Sequence, residues 1–123
     1  MTSILVVDDD PRILRLLCSF LKAEGYDVAT AEDGTKALEL IATAAPTLVL
    51  LDLNLPDIQG DEVFSQARAM GFTGPVVLIS ADLRAEQVAR EMGADGCVAK
   101  PFDPSDLFQL LEQLLQPLHV RAS

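Results

Sequence analysis

Three carboxylates, a hydroxyl and an ammonium stand directly after short apolar runs of this sequence, at Asp8, Asp9, Asp52, Ser80 and Lys100. Three carboxylates gathered in one crevice repel one another, and without a compensating cation at least one of them would take up a proton. Magnesium suits such a site because it accepts a few carboxylate or carbonyl oxygens and keeps waters that a phosphoryl oxygen can displace. The set therefore predicts a Mg²⁺ (or Mn²⁺) site at Asp8, Asp9 and Asp52.

Such a metal site also indicates phosphoryl chemistry on one of its own carboxylates. Carboxylates form acyl phosphates when a metal neutralises the approaching charge. Asp52 is the candidate nucleophile because it ends an apolar run and opens the loop at residues 53–60. Lys100 would hold the phosphoryl oxygens as a point charge, and Ser80 would donate a hydrogen bond to them. We predict Asp52 as the phosphoacceptor, with Lys100 and Ser80 as its catalytic partners.

The elements that must position these residues alternate strand and helix five times. Continuous runs of Val, Ile and Leu are typical of strands buried on both faces of a parallel sheet. Three runs are strong and two are weaker: residues 4–7, 48–51 and 76–79, then 27–31 and 96–99. Apolar residues recur at helical spacing between them, as at Ile13, Leu17 and Leu21. The pattern predicts an α/β domain, a doubly wound sheet of five parallel strands with five helices.

Other acidic residues have a structural explanation at helix starts. Asp10 and Asp103 each precede a proline, which places an acidic N-cap before a residue suited to the first helical position. Asp33 precedes Gly34 at the start of the second predicted helix. Glycines follow three of the helical runs, at Gly25, Gly71 and Gly93, as expected for helix C-termini. We therefore leave Asp10, Asp33 and Asp103 out of the site.

The predicted topology brings the five polar residues together. In an open α/β sheet, ligands bind outside the carboxyl ends of the strands, where the helices diverge. Taken singly, Ser80 is an ordinary loop or cap residue and Lys100 an ordinary surface charge. Asp52 is harder to explain in that way, because it directly follows a run of four apolar residues. The prediction of a site depends on the whole constellation.

Length and composition limit what the chain can be. With 123 residues, 50% of them apolar, it is long enough for one domain with a real core and too apolar for disorder. We expect a single domain over residues 1–123, with its core at about 3–117 and a tail at 118–123. Acidic residues outnumber basic ones by 19 to 9, for a net charge of −10. Without a basic cluster, this segment is not expected to bind nucleic acid directly.

The same composition bears on location. No apolar stretch reaches the roughly 18 residues of a membrane span. Residues 1–3 lack the basic start of a secretion signal. Cys18 and Cys97 stand alone, so free thiols in a reducing compartment are expected. We expect a cytoplasmic protein without membrane association.

Four separated segments match the pattern of a known family. They are ILVVDDD at residues 4–10, LLDLNLPDIQG at 50–60, SA at 80–81 and VAKPF at 98–102. In this order they resemble the receiver domain of two-component response regulators, over essentially the whole chain from Ser3 to about Leu115. The resemblance implies a flavodoxin-like (βα)5 fold. It also implies that a histidine kinase or phosphotransfer protein phosphorylates Asp52, with Mg²⁺ held by Asp8, Asp9, Asp52 and the main-chain carbonyl of Asn54.

The resemblance also assigns roles at the ends of the fourth and fifth strands. Lys100 would contact the phosphoryl group, Ser80 would move to hydrogen-bond it on activation, and the bond from Lys100 to Pro101 resembles a cis peptide of the family. One position departs from the pattern. Where receivers commonly have an aromatic ring three residues before the lysine, this chain has Cys97. A small thiol cannot swing behind Ser80 as a ring does, so we expect activation to be transmitted through the loops and helices instead.

As a receiver, the chain would be a phosphoacceptor signalling domain and not an enzyme, with at most self-catalysed phosphotransfer and autodephosphorylation. Phosphorylation would switch the conformation of a surface that meets a downstream effector or an output domain outside this chain. The resemblance also allows a phosphorylation-dependent dimer.

Three other functions compete with this interpretation. A metal-dependent phosphatase with an aspartyl intermediate would have its second acid two residues after the nucleophile, whereas Asp8 and Asp9 are adjacent. A nucleotide or flavin binder would have glycine in the loop after the first strand, where this chain has carboxylates that repel phosphate. A receiver-shaped scaffold that is never phosphorylated is the remaining alternative, and the full acidic set with Ser80 and Lys100 argues against it.

Overall fold

A computed structural model describes residues 2–115 of the chain, so the predicted tail at 118–123 and the predicted end of the core at 116–117 lie outside the described residues. The strands are Ser3–Val7 (β1), Asp27–Ala31 (β2), Leu48–Leu51 (β3), Val76–Ser80 (β4) and Gly96–Ala99 (β5). The helices are Pro11–Ala23 (α1), Gly34–Ala44 (α2), Gly60–Ala69 (α3), Ala85–Met92 (α4) and Pro104–Leu115 (α5). The predicted strands are confirmed, with β1 beginning at Ser3 and β4 extending to Ser80. No helix in this described part is long and apolar enough to span a membrane.

The five strands form one sheet in the order β2-β1-β3-β4-β5, and every neighbouring pair is parallel. From β1 the chain moves first to one edge at β2 and then back across to β3, so strand order reverses between β1 and β3. This reversal is the switch point at which helices on opposite faces diverge and leave a crevice. The predicted doubly wound α/β fold is therefore confirmed.

Both faces of the sheet are apolar, which explains the continuous hydrophobic runs. Successive side chains of a strand point to opposite faces. In β1, Leu5 and Val7 belong to a core shared with α2, α3 and α4, whereas Ile4 and Val6 belong to a core shared with α1 and α5. The central strands are thus buried on both sides, and the polar residues at their carboxyl ends lie at one edge of the sheet.

The helix starts follow the predicted chemistry. Asp10 accepts a hydrogen bond from the backbone N–H of Arg12 at 2.9 Å, and Asp33 accepts one from that of Lys36 at 2.7 Å. Asp103 accepts one from the N–H of Ser105 at 2.8 Å. These carboxylates satisfy N–H groups that have no partner inside their helices. They are capping residues, and they do not belong to the cluster at the switch point.

Candidate functional site

Asp8 and Asp52 lie side by side because their strands are in register. In the β1–β3 pair, Val7 lies opposite Leu51. The ladder continues one step further, where the backbone N–H of Asp52 donates to the carbonyl of Val7 at 2.9 Å. Both carboxylates therefore follow the last paired residues of the two strands that flank the switch point. Their placement is a consequence of strand pairing and not of a flexible loop.

Asp9 completes an acidic cluster at this point. One carboxylate oxygen from each of Asp8, Asp9 and Asp52 lies within 4.8 Å of the other two. Asp8 and Asp52 are only 2% and 6% exposed, whereas Asp9 is exposed. Hard oxygen donors, an excess of negative charge and one solvent-facing side suit a cation that keeps part of its water shell. The donor set fits Mg²⁺.

Lys100 bridges the two buried carboxylates. Its Nζ donates to Oδ2 of Asp8 at 2.6 Å and to Oδ2 of Asp52 at 3.1 Å. The backbone N–H of Lys100 also donates to the carbonyl of Ser80 at 3.0 Å, which continues the β4–β5 ladder by one step. The peptide bond from Lys100 to Pro101 is cis, as the sequence resemblance predicted. The five predicted residues thus lie at the carboxyl ends of the neighbouring strands β1, β3, β4 and β5.

Burial and charge shift the pKa values of this pair. Burial raises the pKa of Asp52, the positive charge of Lys100 opposes that rise, and the negative charge of Asp8 adds to it. Burial alone would lower the pKa of Lys100. The hydrogen bond to Asp8 and the negative charges of both carboxylates raise this pKa by more than burial lowers it, so the net shift is upward. Lys100 therefore stays protonated beside a carboxylate that is costly to charge. An added cation would favour the charged form of Asp52.

The loop after β4 holds Ser80 in a local turn. Ser80 is 1% exposed, and its Oγ accepts a hydrogen bond from the backbone N–H of Asp82 at 3.1 Å. Because the hydroxyl is the acceptor in this bond, its own proton stays available for donation to another oxygen. Ser80 therefore has the chemistry of a donor to a phosphoryl group, although this bond ties it to its own loop.

Asp82 links the loops that follow β3 and β4. Nδ2 of Asn54 donates to Oδ2 of Asp82 at 3.3 Å, and the N–H, Nε and Nη2 of Arg84 all donate to the same carboxylate at 2.8–3.2 Å. The side-chain bonds from Arg84, then its backbone bond and the bond from Asn54, hold the pKa of Asp82 well below its usual range. Asn54 also donates its backbone N–H to Oδ1 of Asp52 at 3.3 Å. The two loops are therefore joined beside the acidic cluster.

Arg84 has a part in this arrangement that the sequence prediction missed. A signal was present, because the chain contains a second aspartate followed two residues later by arginine, Asp10 and Arg12. There, too, the guanidinium and the backbone N–H of the arginine bind the aspartate. An aspartate two residues before an arginine at a helix start thus indicates a turn closed by both groups.

Cys97 lies in β5 and lines a cavity next to the site. It is half-buried, and burial, with a smaller effect of Glu86, raises the pKa of its thiol. A cavity of about 330 Å³ is lined by Cys97 together with Ser80, Ala81, Ala99 and Lys100, among other residues. The thiol is protonated near neutral pH and acts there as a small apolar group.

Comparisons with known proteins agree with the doubly wound fold and its acidic site. The family of response regulator receiver domains matches residues 4–112. The chain is 38% identical over 121 residues to the alkaline phosphatase synthesis transcriptional regulatory protein PhoP of Bacillus subtilis, covering 97% of this chain and 50% of that protein. It spans about half the length of the curated transcriptional regulators that it matches.

Two solved structures show the same architecture. A CheY-like response regulator receiver domain protein from Methanospirillum hungatei superposes with a TM-score of 0.89 at 28% identity, covering 98% of both chains. The BeF3-activated N-terminal receiver domain of Klebsiella pneumoniae RstA superposes with a TM-score of 0.85 at 32% identity, covering 94% of this chain and 99% of that one. The fold and site define a doubly wound domain with a cluster of three carboxylates at its switch point. The chain belongs to the response regulator receiver domains of two-component signalling.

Proposed function

We propose that Asp52 is the residue that accepts the phosphoryl group, from a phosphohistidine of a histidine kinase or phosphotransfer protein. One observation supports this most strongly: Asp52 is a nearly buried carboxylate at the switch point that shares the ammonium of Lys100 with Asp8. A carboxylate oxygen of Asp52 attacks phosphorus, and the bond from phosphorus to the donor imidazole nitrogen breaks. The imidazole keeps the electron pair and takes up a proton, which leaves an acyl phosphate on Asp52.

We propose that Asp8, Asp9, Asp52 and the main-chain carbonyl of Asn54 hold Mg²⁺, which would neutralise charge on the transferring phosphoryl oxygens. The burial of Asp8 and Asp52 supports this role, because two carboxylates in a poorly hydrated site require positive charge. Asp9, on the exposed side, would extend the donor set toward solvent. Asp8 and Asp9 then act as ligands, and Asp52 acts as both ligand and nucleophile.

Once Asp52 is phosphorylated, the negative charge lies on the phosphoryl group, and the ammonium of Lys100 would contact that group in place of the carboxylate. Its Nζ is 3.1 Å from Oδ2 of Asp52, so a phosphoryl oxygen attached there comes within reach of a flexible ammonium. Ser80 would leave its bond with the N–H of Asp82 and donate its hydroxyl proton to a second phosphoryl oxygen. A phosphoryl group adds roughly −1.5 to −2 charges, which is enough to reorder a loop of this kind. The loop after β4 and the surface formed by α4, β5 and α5 would carry the resulting change.

The receiver is a signalling domain, and we propose that its covalent chemistry is limited to its own phosphorylation and autodephosphorylation. Residues 1–123 would act as one receiver domain. The relatives that it matches are about twice as long and are named as transcriptional regulators, which supports an output domain outside this chain or a separate effector. The BeF3-activated state of the RstA receiver supports activation by a phosphoryl-like group. Free Cys18 and Cys97 are in keeping with a cytoplasmic location.

Intact-mass spectrometry tests the proposal. The protein is incubated with acetyl phosphate and MgCl2, with and without excess chelator, beside Asp52→Asn and the control Asp33→Asn. We expect the mass of one phosphoryl group on the wild type and on Asp33→Asn, and none on Asp52→Asn or in the presence of chelator. A wild-type protein that binds Mg²⁺ and stays unmodified would overturn the proposal and favour a binding scaffold.

A further inference from the structure

Asp57, in the loop between β3 and α3, binds the first turn of α2 through hydrogen bonds. Its Oδ1 accepts the backbone N–H of Gly34 at 2.8 Å, and its Oδ2 accepts the N–H and the hydroxyl of Thr35 at 2.9 and 2.6 Å. These partners lie 22 and 23 residues earlier in the chain. The hydroxyl of Thr35 and then the N–H of Gly34 hold the pKa of Asp57 far below its usual range. The carboxylate is therefore charged and fully engaged at neutral pH.

Helix α2 has a cap of its own, so capping alone does not explain Asp57. Asp33 accepts the backbone N–H of Lys36 at 2.7 Å from the N-cap position. Asp57 binds the N–H groups of the two residues before Lys36, from a different segment of the chain. The loop also packs closely against the helix at this point, because a side chain at Gly34 would collide with Ile58 of the loop. The contact ties the loop to the helix.

The other end of the loop is attached to the site. The N–H of Gly60 donates to the carbonyl of Leu53 at 2.7 Å, and a Cβ at Gly60 would collide with the carbonyl oxygen of Asp52. Leu53 and Leu55 are buried on either side of Asn54. The hydrogen bond between Gly60 and Leu53 therefore joins the two ends of the loop. The carboxylate of Asp57 then connects this loop to α2 through hydrogen bonds.

We propose that Asp57 is a positioning residue. Its hydrogen bonds to Gly34 and Thr35 hold the backbone of Asn54 in position, and the position of that backbone determines the geometry of the cation site at Asp52. The inference rests on the proposed function, because the main-chain carbonyl of Asn54 is a ligand only in that proposal. Groups that orient metal ligands without touching the metal change its affinity when they are removed. A loop released from α2 would let the carbonyl of Asn54 sample other directions, while Asp8 and Asp9 stay in place on the other loop.

Calorimetric titration with MgCl2 and the rate of phosphorylation by acetyl phosphate test this role in the 123-residue chain. The variants are Asp57→Ala, Thr35→Val, which removes one of the bonds to Asp57, and the matched control Asp33→Ala. All three substitutions remove hydrogen bonds at the start of α2, but only Asp57→Ala and Thr35→Val weaken the contact between α2 and the loop. We expect Asp57→Ala to weaken Mg²⁺ binding by about tenfold and to slow phosphorylation in subsaturating Mg²⁺. Thr35→Val should show a smaller loss, and Asp33→Ala should bind Mg²⁺ as the wild type does despite a lower Tm.

The outcomes separate the inference from the function beneath it. If the wild type binds Mg²⁺ and is phosphorylated, but Asp57→Ala and Asp33→Ala bind Mg²⁺ equally well, Asp57 is a second helix cap and the inference is wrong. The same holds if saturating Mg²⁺ leaves the phosphorylation rate of Asp57→Ala low, since an effect through metal affinity must disappear there. If Asp57→Ala does not fold, Thr35→Val against Asp33→Ala decides. A wild type that neither binds Mg²⁺ nor accepts a phosphoryl group overturns both proposals.

Discussion

The ammonium of Lys100 lies closer to Asp8 than to the proposed phosphoacceptor, at 2.6 Å from Oδ2 of Asp8 and 3.1 Å from Oδ2 of Asp52. Asp8 therefore anchors the lysine, and the contact with Asp52 is the weaker of the two. In this position the lysine offsets the charge of two buried carboxylates and stays within reach of any group added to Asp52. Its two tasks, charge compensation and phosphoryl contact, lead to separate expectations.

Removing the ammonium should destabilise the metal-free protein. We expect Lys100→Met to lower the free energy of unfolding by about 2 kcal/mol, because Asp8 and Asp52 would stay buried without their shared counter-charge. Urea unfolding without divalent ions measures this. MgCl2 should stabilise the variant more than the wild type, since the cation then supplies the missing charge. Lys36→Met is the matched control, and its exposed pair with Glu39 should contribute less than about 0.5 kcal/mol. Equal stability of Lys100→Met and wild type in metal-free buffer would contradict the expectation.

Asp57 should make the protein sensitive to acid. Its folded pKa is lowered from 3.8, chiefly by the hydroxyl of Thr35, so its contribution to stability is complete above the unfolded pKa. That contribution is lost as the pH falls through the lower folded value. We therefore expect the urea midpoint of the wild type to fall more steeply below about pH 4 than that of Asp57→Asn. Thr35→Val should give an intermediate slope, and parallel curves for all three proteins would show that the carboxylate is not engaged in solution.

Arg68 should stabilise the end of the sheet opposite the site. Its Nη1 donates to the carbonyls of Phe72 and Gly74 at 2.9 and 2.8 Å, and its guanidinium lies over the rings of Phe64 and Phe72. Lysine cannot reproduce this planar arrangement. We expect Arg68→Lys to lower the free energy of unfolding by about 1–2 kcal/mol, measured by urea unfolding, and to leave the phosphorylation rate unchanged.

The control for this prediction is Arg90→Lys, which alters an exposed pair with Glu86. It should change stability by less than about 0.5 kcal/mol. A loss of phosphorylation in Arg68→Lys at a temperature where the variant is fully folded would show that this end of the sheet communicates with the site.

Cys97 should limit how activation reaches the α4–β5 surface. The thiol shares a cavity with Ser80, but it has no ring to turn into that cavity when Ser80 moves. We expect beryllofluoride with Mg²⁺ to cause smaller amide shifts along α4 and β5 in the wild type than in Cys97→Tyr. Cys97→Ala should respond as the wild type does. A larger response of this surface in the wild type than in Cys97→Tyr would mean that the thiol itself transmits the change.

Much of the fold could be predicted because each element has a local cause. Residues 4–7 of β1, all of β3 and residues 76–79 of β4 are apolar because both faces of the sheet are covered, and that pattern is visible without coordinates. Asp10 and Asp33 were predicted as caps because a capping bond joins residues two or three positions apart. The convergence of Asp8 and Asp52 followed from parallel pairing, which aligns strand ends at one edge.

Contacts between distant segments could not be predicted in this way. Nothing in the sequence near Asp57 names Gly34 and Thr35 as its partners, because that bond depends on how α2 and the loop after β3 pack. The bond from Asn54 to Asp82 is of the same kind, since it joins loops 28 residues apart. Sequence spacing indicates which side chains share an element, whereas the distance between two elements is set by the packing of the core between them.

The sequence by itself determined which polar groups lie at the strand ends: paired acids after β1, a lone acid after β3, a hydroxyl at the end of β4 and an ammonium after β5. Only the tertiary structure decided that Lys100 is shared between Asp8 and Asp52, and that Asp57 binds α2 instead of solvent. The physical reason is how far apart along the chain the interacting groups lie. Hydrophobic burial and capping act through composition and near neighbours, but a hydrogen bond forms only when packing brings two polar atoms to within about 3 Å.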